Sequence, residues 1–346
     1  MVVRARAPLR LGLAGGGSDV SPYCDIYGGY VLNATIDRYA YAVIRLLEAG
    51  EVRFNAPDAF QSASFKLSDS FDDSGILMLH KAVYNHMIKH YNAGIPISLE
   101  MNTFCDAPPG SGLGSSSTLV VAMIRAFVEL LNIPLDDYAI AQLAFTIERV
   151  TCGLQGGRQD QYSATFGGFN FMEFYSQDRS IINSLRIKNW IICELEASLL
   201  LFFTGISRES AKIIADQSAN VNSGSIESIE AMHGIKREAI EMKEALLRGS
   251  FGNLAESMQR GWENKKRSSA SISNSFIDEV YQDALKSGAL AGKVSGAGGG
   301  GFMLFLVPTE KRVNLIRALS KYNGEISNCH FTNTGCQAWR VYAQLY

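Results

Sequence analysis

The chain has 346 residues, 47% of them hydrophobic and 19% charged, with a formal net charge of −2. That length is more than one small core needs and points to two domains. The charge balance leaves no basic footprint for nucleic acid or an anionic membrane, and no apolar run is long enough to span a bilayer. The N-terminus, Met1 to Pro8, lacks the apolar core of a signal peptide. The expected setting is therefore the cytoplasm, with small-molecule partners, no nucleic acid and no membrane; assembly into a homo-oligomer is left open. Cysteines at 24, 105, 152, 193, 329 and 336 form no CxxC pair and no zinc spacing, so they read as reduced thiols.

The first hundred residues read mainly as strands. Val2 to Ala7 alternates, Tyr30–Ile36 and Tyr39–Leu47 are rich in aromatic and branched residues, and Ile95–Met101 alternates again. A helix over Met78–Tyr91 interrupts them. Its histidines, His80, His86 and His90, lack the neighbouring acid of a metal pair and read as ordinary helix residues. Between the first strands lies Gly15-Gly16-Gly17-Ser18-Asp19, after Arg10. It suits either the wall of a polar pocket or a self-capped turn.

The segment Pro108-Pro-Gly-Ser-Gly-Leu-Gly-Ser-Ser-Ser-Thr118 carries the most chemistry. Its glycines permit a tight nest of backbone amides. The apolar helix that follows, Ser115–Leu131, adds unpaired N–H groups and the positive end of its dipole. Together they form a phosphate site without a lysine, since no Walker-type Gly-Lys-Ser follows. A serine-capped loop is the plainer alternative.

A second helix is predicted over Asp137–Val150, then the turn Gly156-Gly-Arg-Gln-Asp-Gln-Tyr162. Asp160, with Arg158 as a neighbouring charge, suits a general base near a phosphate site or a structural turn. Glu148 suits a magnesium ligand or a solvated charge. Strands return at Gly168–Phe174 and Leu199–Phe203. Thr204-Gly-Ile-Ser-Arg208 then opens a polar helical region to Ser287, as an anion site or as a plain N-cap. Lys293 to Gly301 contains a formal GxGxxG, but the strand Phe302–Val307 follows it, so the dinucleotide reading is rejected. Its glycines suggest close approach to a ligand or another loop. The chain ends as helix Glu310–Tyr322 and strands Ile326–Phe331 and Ala338–Gln344. This mixture is α+β, with a boundary expected between 185 and 186.

The three glycine segments, in this order, resemble the GHMP kinase superfamily. Pro8 to Asp19 matches its first motif, Pro108 to Thr118 the second and Lys293 to Phe302 the third. The resemblance implies an N-terminal domain like ribosomal protein S5 domain 2, over 1–185, and a ferredoxin-like C-terminal domain, over 186–346. It implies an enzyme using ATP and Mg2+. The loop Pro109, Gly110, Ser111, Gly112, Leu113, Gly114, Ser115, Ser116 and Ser117 would wrap the ATP phosphates. Ser116 and Glu148 would hold magnesium. Asp160 and Arg10 would be catalytic, while Gly17, Ser18, Asp19, Arg158, Arg208 and Gly298 would face the substrate. The Pro-Ser-Gly-Val-Asp of mevalonate kinases is absent.

Within the superfamily, Ala14 to Asp19, Gly28 to Asp37, Arg158 to Tyr162 and Thr204 to Ala211 resemble the branch acting on heptose 7-phosphates. That branch phosphorylates the anomeric hydroxyl, on the route to GDP-heptose and surface polysaccharide. The alternatives are a fucose- or galactose-type 1-kinase and a non-catalytic sugar-binding relative. A remote phosphate on the sugar would need its own cation, with Arg208 first and Arg158 second.

Overall fold

A computed structural model describes residues 1–48, 50–68, 70–206 and 210–342. Among them the first seven strands are β1 (Val2–Ala14), β2 (Gly29–Leu46), β3 (Glu51–Ala56), β4 (Gln61–Lys66), β5 (Leu99–Cys105), β6 (Phe169–Phe174) and β7 (Ser180–Ser184). The rest are β8 (Leu199–Phe203), β9 (Ala291–Val294), β10 (Phe302–Leu306), β11 (Glu325–Ser327) and β12 (Gln337–Val341). The helices begin with α1 (Tyr23–Tyr27), α2 (Met78–Tyr91), α3 (Ser115–Leu131), α4 (Asp137–Phe145), α5 (Gln159–Phe166) and α6 (Asn189–Ser198). They continue with α7 (Ser210–Asn222), α8 (Ile226–Arg248), α9 (Phe251–Ser268), α10 (Ser275–Lys286) and α11 (Arg312–Leu319).

The larger sheet runs β12-β1-β2-β5-β3-β4, with β6 also on β2 and β7 on β6. The smaller runs β11-β8-β10-β9, all antiparallel. The α+β class is as expected. The domain cut at 186 does not follow the pairing throughout, because β12 returns to lie against β1 in the first sheet.

Apolar alternation decides the layers. On β8, Leu199 and Leu201 join one core cluster while Leu200 and Phe202 join another. On β10, Phe302, Leu304 and Leu306 divide from Met303 and Phe305 in the same way. Both strands are thus buried on both faces, which is why each reads as an unbroken apolar run. The first of these clusters also contains Leu9, Leu11, Leu13 and Leu32 from β1 and β2, and Met242 and Met258 from α8 and α9. The two sheets therefore share a core. A separate cluster packs α2 and α3 on the far part of the larger sheet, with Phe54, Tyr84 and Phe127 fully buried.

Several elements differ from expectation, among them the following three. β2 is a single strand where a break was predicted near Asp37, because Ala40 to Leu46 continue pairing on β5 while Gly29 to Ala34 pair on β6. The β3–β4 hairpin was not predicted; its outer strand is half-exposed and carries Ser and Gln where apolar alternation would have marked it. The predicted helix 137–150 ends as α4 and continues as a π-helical turn, Thr146–Thr151. Such turns put side chains where a regular helix would not.

Candidate active site

β1 carries register shifts against β2 between Pro8 and Arg10 and between Gly12 and Ala14. Bulges of this kind re-aim neighbouring side chains. Arg10, between them, is buried yet reaches the cleft. Its Nε and Nη2 donate to Asp160 Oδ1 at 2.7 and 2.6 Å, and its Nη1 donates to the Gly112 carbonyl at 2.6 Å. Asp160 lies in the first turn of α5. Both contacts fall on one carboxylate oxygen, so Oδ2 is left toward Gly114 and the cleft.

The phosphate loop runs from Pro109 to Gly114, the N-cap residue of α3, where φ is +79°. Gly110, Gly112, Gly114, Ser115 and Ser116 line the cleft. The remaining loop residues have other work. Ser111 is buried and its carbonyl accepts from Phe302 N at 2.9 Å. Leu113 is core, and its carbonyl accepts from Arg10 N at 3.2 Å. Ser117 is buried and accepts from Arg149 Nη2 and Gln161 Nε2, each at 3.2 Å. Pro109 borders an apolar recess of about 320 Å³ that opens on Gly110, Ser115 and Ser116. Leu77, His80, Ala107, Leu119 and Leu154 supply part of its wall.

The third glycine segment folds onto this loop. Ser295 Oγ donates to the Gly112 carbonyl at 3.0 Å, and a Cβ on Gly112, at φ +81°, would stand 2.5 Å from the Ser295 carbonyl. Gly112→Ala is therefore expected to lower stability by about 1–3 kcal/mol and to raise the KM for ATP. Denaturant titration and ATP kinetics check this; an unchanged midpoint and KM would contradict it.

The π-helical turn brings Glu148 to the same place. Glu148 is fully buried. Its Oε1 accepts from Ser116 Oγ at 2.8 Å and its Oε2 from Gln161 Nε2 at 2.7 Å. Arg149 Nη1 lies 3.3 Å from Oε1. Among the described residues no group of three or more His, Cys, Asp or Glu could hold a metal. Ser116 and Glu148 offer two oxygen donors of the kind a hard cation takes.

On the opposite wall Asp19 accepts from Gly17 N at 3.0 Å, Gln159 N at 3.1 Å and Gln159 Nε2 at 3.0 Å. A Cβ on Gly157 would stand 2.0 Å from Asp19 Oδ2, so the Gly-Gly turn is needed for this approach. Gly17 and Asp19 line the cleft. Ser18 does not; its hydroxyl lies 2.8 and 2.9 Å from the carbonyls of Gly15 and Tyr30, can donate to either, and holds the turn. Gly298 packs against Ile272, away from the cleft lining.

Arg158 is not beside Asp160. Its guanidinium lies 3.0 Å from Asp178 and 3.7 Å from Asp25 and donates to the Tyr175 carbonyl. It does not line the cleft, because as the residue before α5 it points to the opposite side from Asp160. Arg208 lies outside the described residues. Thr204 binds the Gly301 carbonyl through N and Oγ1, so this part of the expected anion segment supports the third glycine run.

Sequence reasoning missed Gln159, Gln217, Arg149 and Lys265, which all line the cleft. Gln159 and Arg149 adjoin residues that were singled out. Lys265 stands in Lys265-Lys266-Arg267 at a helix end, where such runs are usually solvated.

Residues 78–168 match the GHMP kinases N terminal domain family, and residues 242–324 match the GHMP kinases C terminal family. The chain is 48% identical over 339 residues to a D-glycero-alpha-D-manno-heptose 7-phosphate kinase of Campylobacter jejuni, covering 98% of this chain and 99% of that one. It also resembles the crystal structure of a D-glycero-D-manno-heptose 1-phosphate kinase from Bacteroides thetaiotaomicron, with TM-score 0.84 and 44% identity over 99% of this chain and 100% of that one. An L-fucokinase/L-fucose-1-P guanylyltransferase of Bacteroides fragilis is 24% identical over 95% of this chain but only 37% of its own length. The ordered glycine segments, their convergence on one cleft and these likenesses agree: the chain belongs to the GHMP kinase family of ATP-dependent phosphotransferases.

Proposed function

We propose that the protein transfers the γ-phosphoryl group of ATP to the anomeric hydroxyl of D-glycero-D-manno-heptose 7-phosphate, giving the 1,7-bisphosphate. The observation that carries this reading is the pairing of Arg10 with Asp160 across the mouth of a glycine-rich phosphate loop. The near-half identity to a heptose 7-phosphate kinase supplies the acceptor class.

In this reading the adenosine lies in the apolar recess beside Pro109, and its phosphates follow the loop to the N-terminus of α3. Ser116 and Glu148 would hold Mg2+, which when bound screens charge on the phosphate oxygens. Asp19, fixed by Gln159 and Gly17, orients sugar hydroxyls. Asp160 Oδ2 takes the proton of the anomeric hydroxyl. The freed oxygen bonds to the γ-phosphorus as the bond to ADP breaks. Arg10 keeps the carboxylate in place and offers positive charge to the transferring group.

An anomeric phosphate is the group from which nucleotide sugars are built, so we place the product upstream of GDP-heptose and surface polysaccharide. Dependence on ATP favours a cytoplasmic reaction. No described helix is long and apolar enough to cross a membrane.

The test is ADP release with heptose 7-phosphate, heptose, fucose and galactose. The expected result is a kcat/KM at least about tenfold higher for heptose 7-phosphate than for any unphosphorylated sugar, the scale of one charge-assisted contact. Preference for fucose or galactose would overturn the reading. The fucokinase likeness, at 24% identity, gives no reason to prefer them.

A further inference from the structure

Three cationic side chains line the cleft among the described residues: Arg10, Arg149 and Lys265. Arg10 is paired with Asp160 and Arg149 with Glu148. Lys265 has no carboxylate partner. Its Nζ donates to the carbonyls of Gly16, at 3.4 Å, and Gly296. An ammonium has three N–H groups, and no described residue accepts the third. The residue is 5% exposed. Burial pulls its pKa down to about 8, against the upward push of Asp19 and Asp160 and with the further lowering of Arg10. A buried cation of this kind is costly unless it meets an anion.

Lys293 shows what a purely structural lysine looks like here. It is equally buried, and its Nζ donates to the carbonyls of Gly12 and Leu13 at 2.8 and 3.1 Å. It ties β9 to β1. Yet it stands behind the cleft, on a small recess between the sheets. Lys265 borders that recess and the cleft as well. Its two carbonyl anchors come from the first and third glycine segments, so its spare N–H sits where the acceptor half of the cleft meets the phosphate loop.

We propose that the Lys265 ammonium binds a phosphoryl group in the acceptor half of the cleft. The proposal rests on the sugar-phosphate kinase reading. With Arg158 occupied by Asp178 and Asp25, Lys265 is the unpaired cation that the described cleft offers to an anion. The phosphoryl group has two sources: the acceptor's own remote phosphate, or the group in transfer.

The experiment compares wild type, Lys265→Met and Lys265→Arg on heptose 7-phosphate and on heptose. Lys265→Met is expected to lower kcat/KM for heptose 7-phosphate by about 10- to 150-fold, the worth of one charged hydrogen bond. Lys265→Arg should recover part of that loss. If heptose keeps its wild-type value within about threefold, the ligand is the acceptor's phosphate. If kcat falls equally on both sugars with KM retained, it is the group in transfer. Values within about threefold of wild type on both sugars overturn the proposal.

A second measurement does not depend on which sugar is the substrate. Inorganic phosphate is added to enzyme saturated with AMPPNP, so that the phosphate loop is already filled, and Tm is recorded. Wild type and Lys265→Arg should shift upward, as binding to the native state requires, and Lys265→Met should not. Equal shifts in all three overturn the proposal; no shift in wild type rules out the acceptor's remote phosphate as the source, since AMPPNP already carries the phosphoryl group of the other. If wild type phosphorylates neither sugar while the phosphate shift still depends on Lys265, the heptose reading falls and the anion site stands. Should Lys265→Met fail to fold, Lys265→Gln replaces it, since its amide keeps two N–H donors for the carbonyls and removes the charge.

Discussion

Asp160→Asn is expected to lower kcat by about 10²–10⁴ while leaving ATP affinity nearly unchanged. The reason lies in how the carboxylate is held. Both Arg10 contacts fall on Oδ1, at 2.6 and 2.7 Å. An asparagine oxygen can occupy that position and keep the arginine in place. The outer atom then becomes an NH2, which donates and cannot take a proton. The substitution thus removes basicity at the point facing the cleft and spares the rest of the site. ATP affinity should survive because the loop amides and the apolar recess are untouched. Steady-state kinetics with nucleotide binding by calorimetry would check this. Turnover within a factor of a few of wild type would remove Asp160 from the chemistry.

Glu148→Gln is expected to raise the Mg2+ concentration for half-maximal activity by at least about tenfold, since even an outer-sphere partner of a metal changes affinity that much. It should also destabilise the protein without nucleotide. Arg149 would lose its carboxylate, and its Nε already has no hydrogen-bond partner in the interior. Leaving buried polar groups unpaired costs about 1–3 kcal/mol each. Ser116→Ala should shift the Mg2+ titration with a smaller effect on stability, because its hydroxyl lies at the cleft surface. A titration unmoved in Glu148→Gln, with a lowered Tm alone, would make Glu148 a structural acid and place the cation elsewhere.

The glycine segments were legible because their chemistry restricts residue type. Gly112 and Gly157 stand where a side chain would collide with Ser295 and Asp19. No alternation or charge pattern is needed to notice them. The long apolar runs at β8 and β10 were legible for a similar reason, since only strands covered on both faces are written that way. Individual orientations were not. Ser18 and Asp19 are neighbours in one turn, yet the hydroxyl closes the turn and the carboxylate faces the cleft. Arg158 and Asp160 are two residues apart at the start of α5 and point to different partners. Lys265 and Lys266 differ in burial because the helix presents one to the cleft and the other to Glu263. Each of these choices is made by tertiary packing that local spacing does not encode. The return of β12 to β1 is of the same kind, a pairing across more than 300 residues.

The central claim is transfer of phosphate to the anomeric oxygen of a sugar that already carries a phosphate. Phosphorus NMR of a reaction with ATP, Mg2+ and D-glycero-D-manno-heptose 7-phosphate tests it most directly. The predicted spectrum keeps the 7-phosphate signal, gains one signal coupled to the anomeric proton, and shows ADP in equal amount to the new phosphate. ADP formed without a sugar product, or a new phosphate on any other hydroxyl, would contradict it.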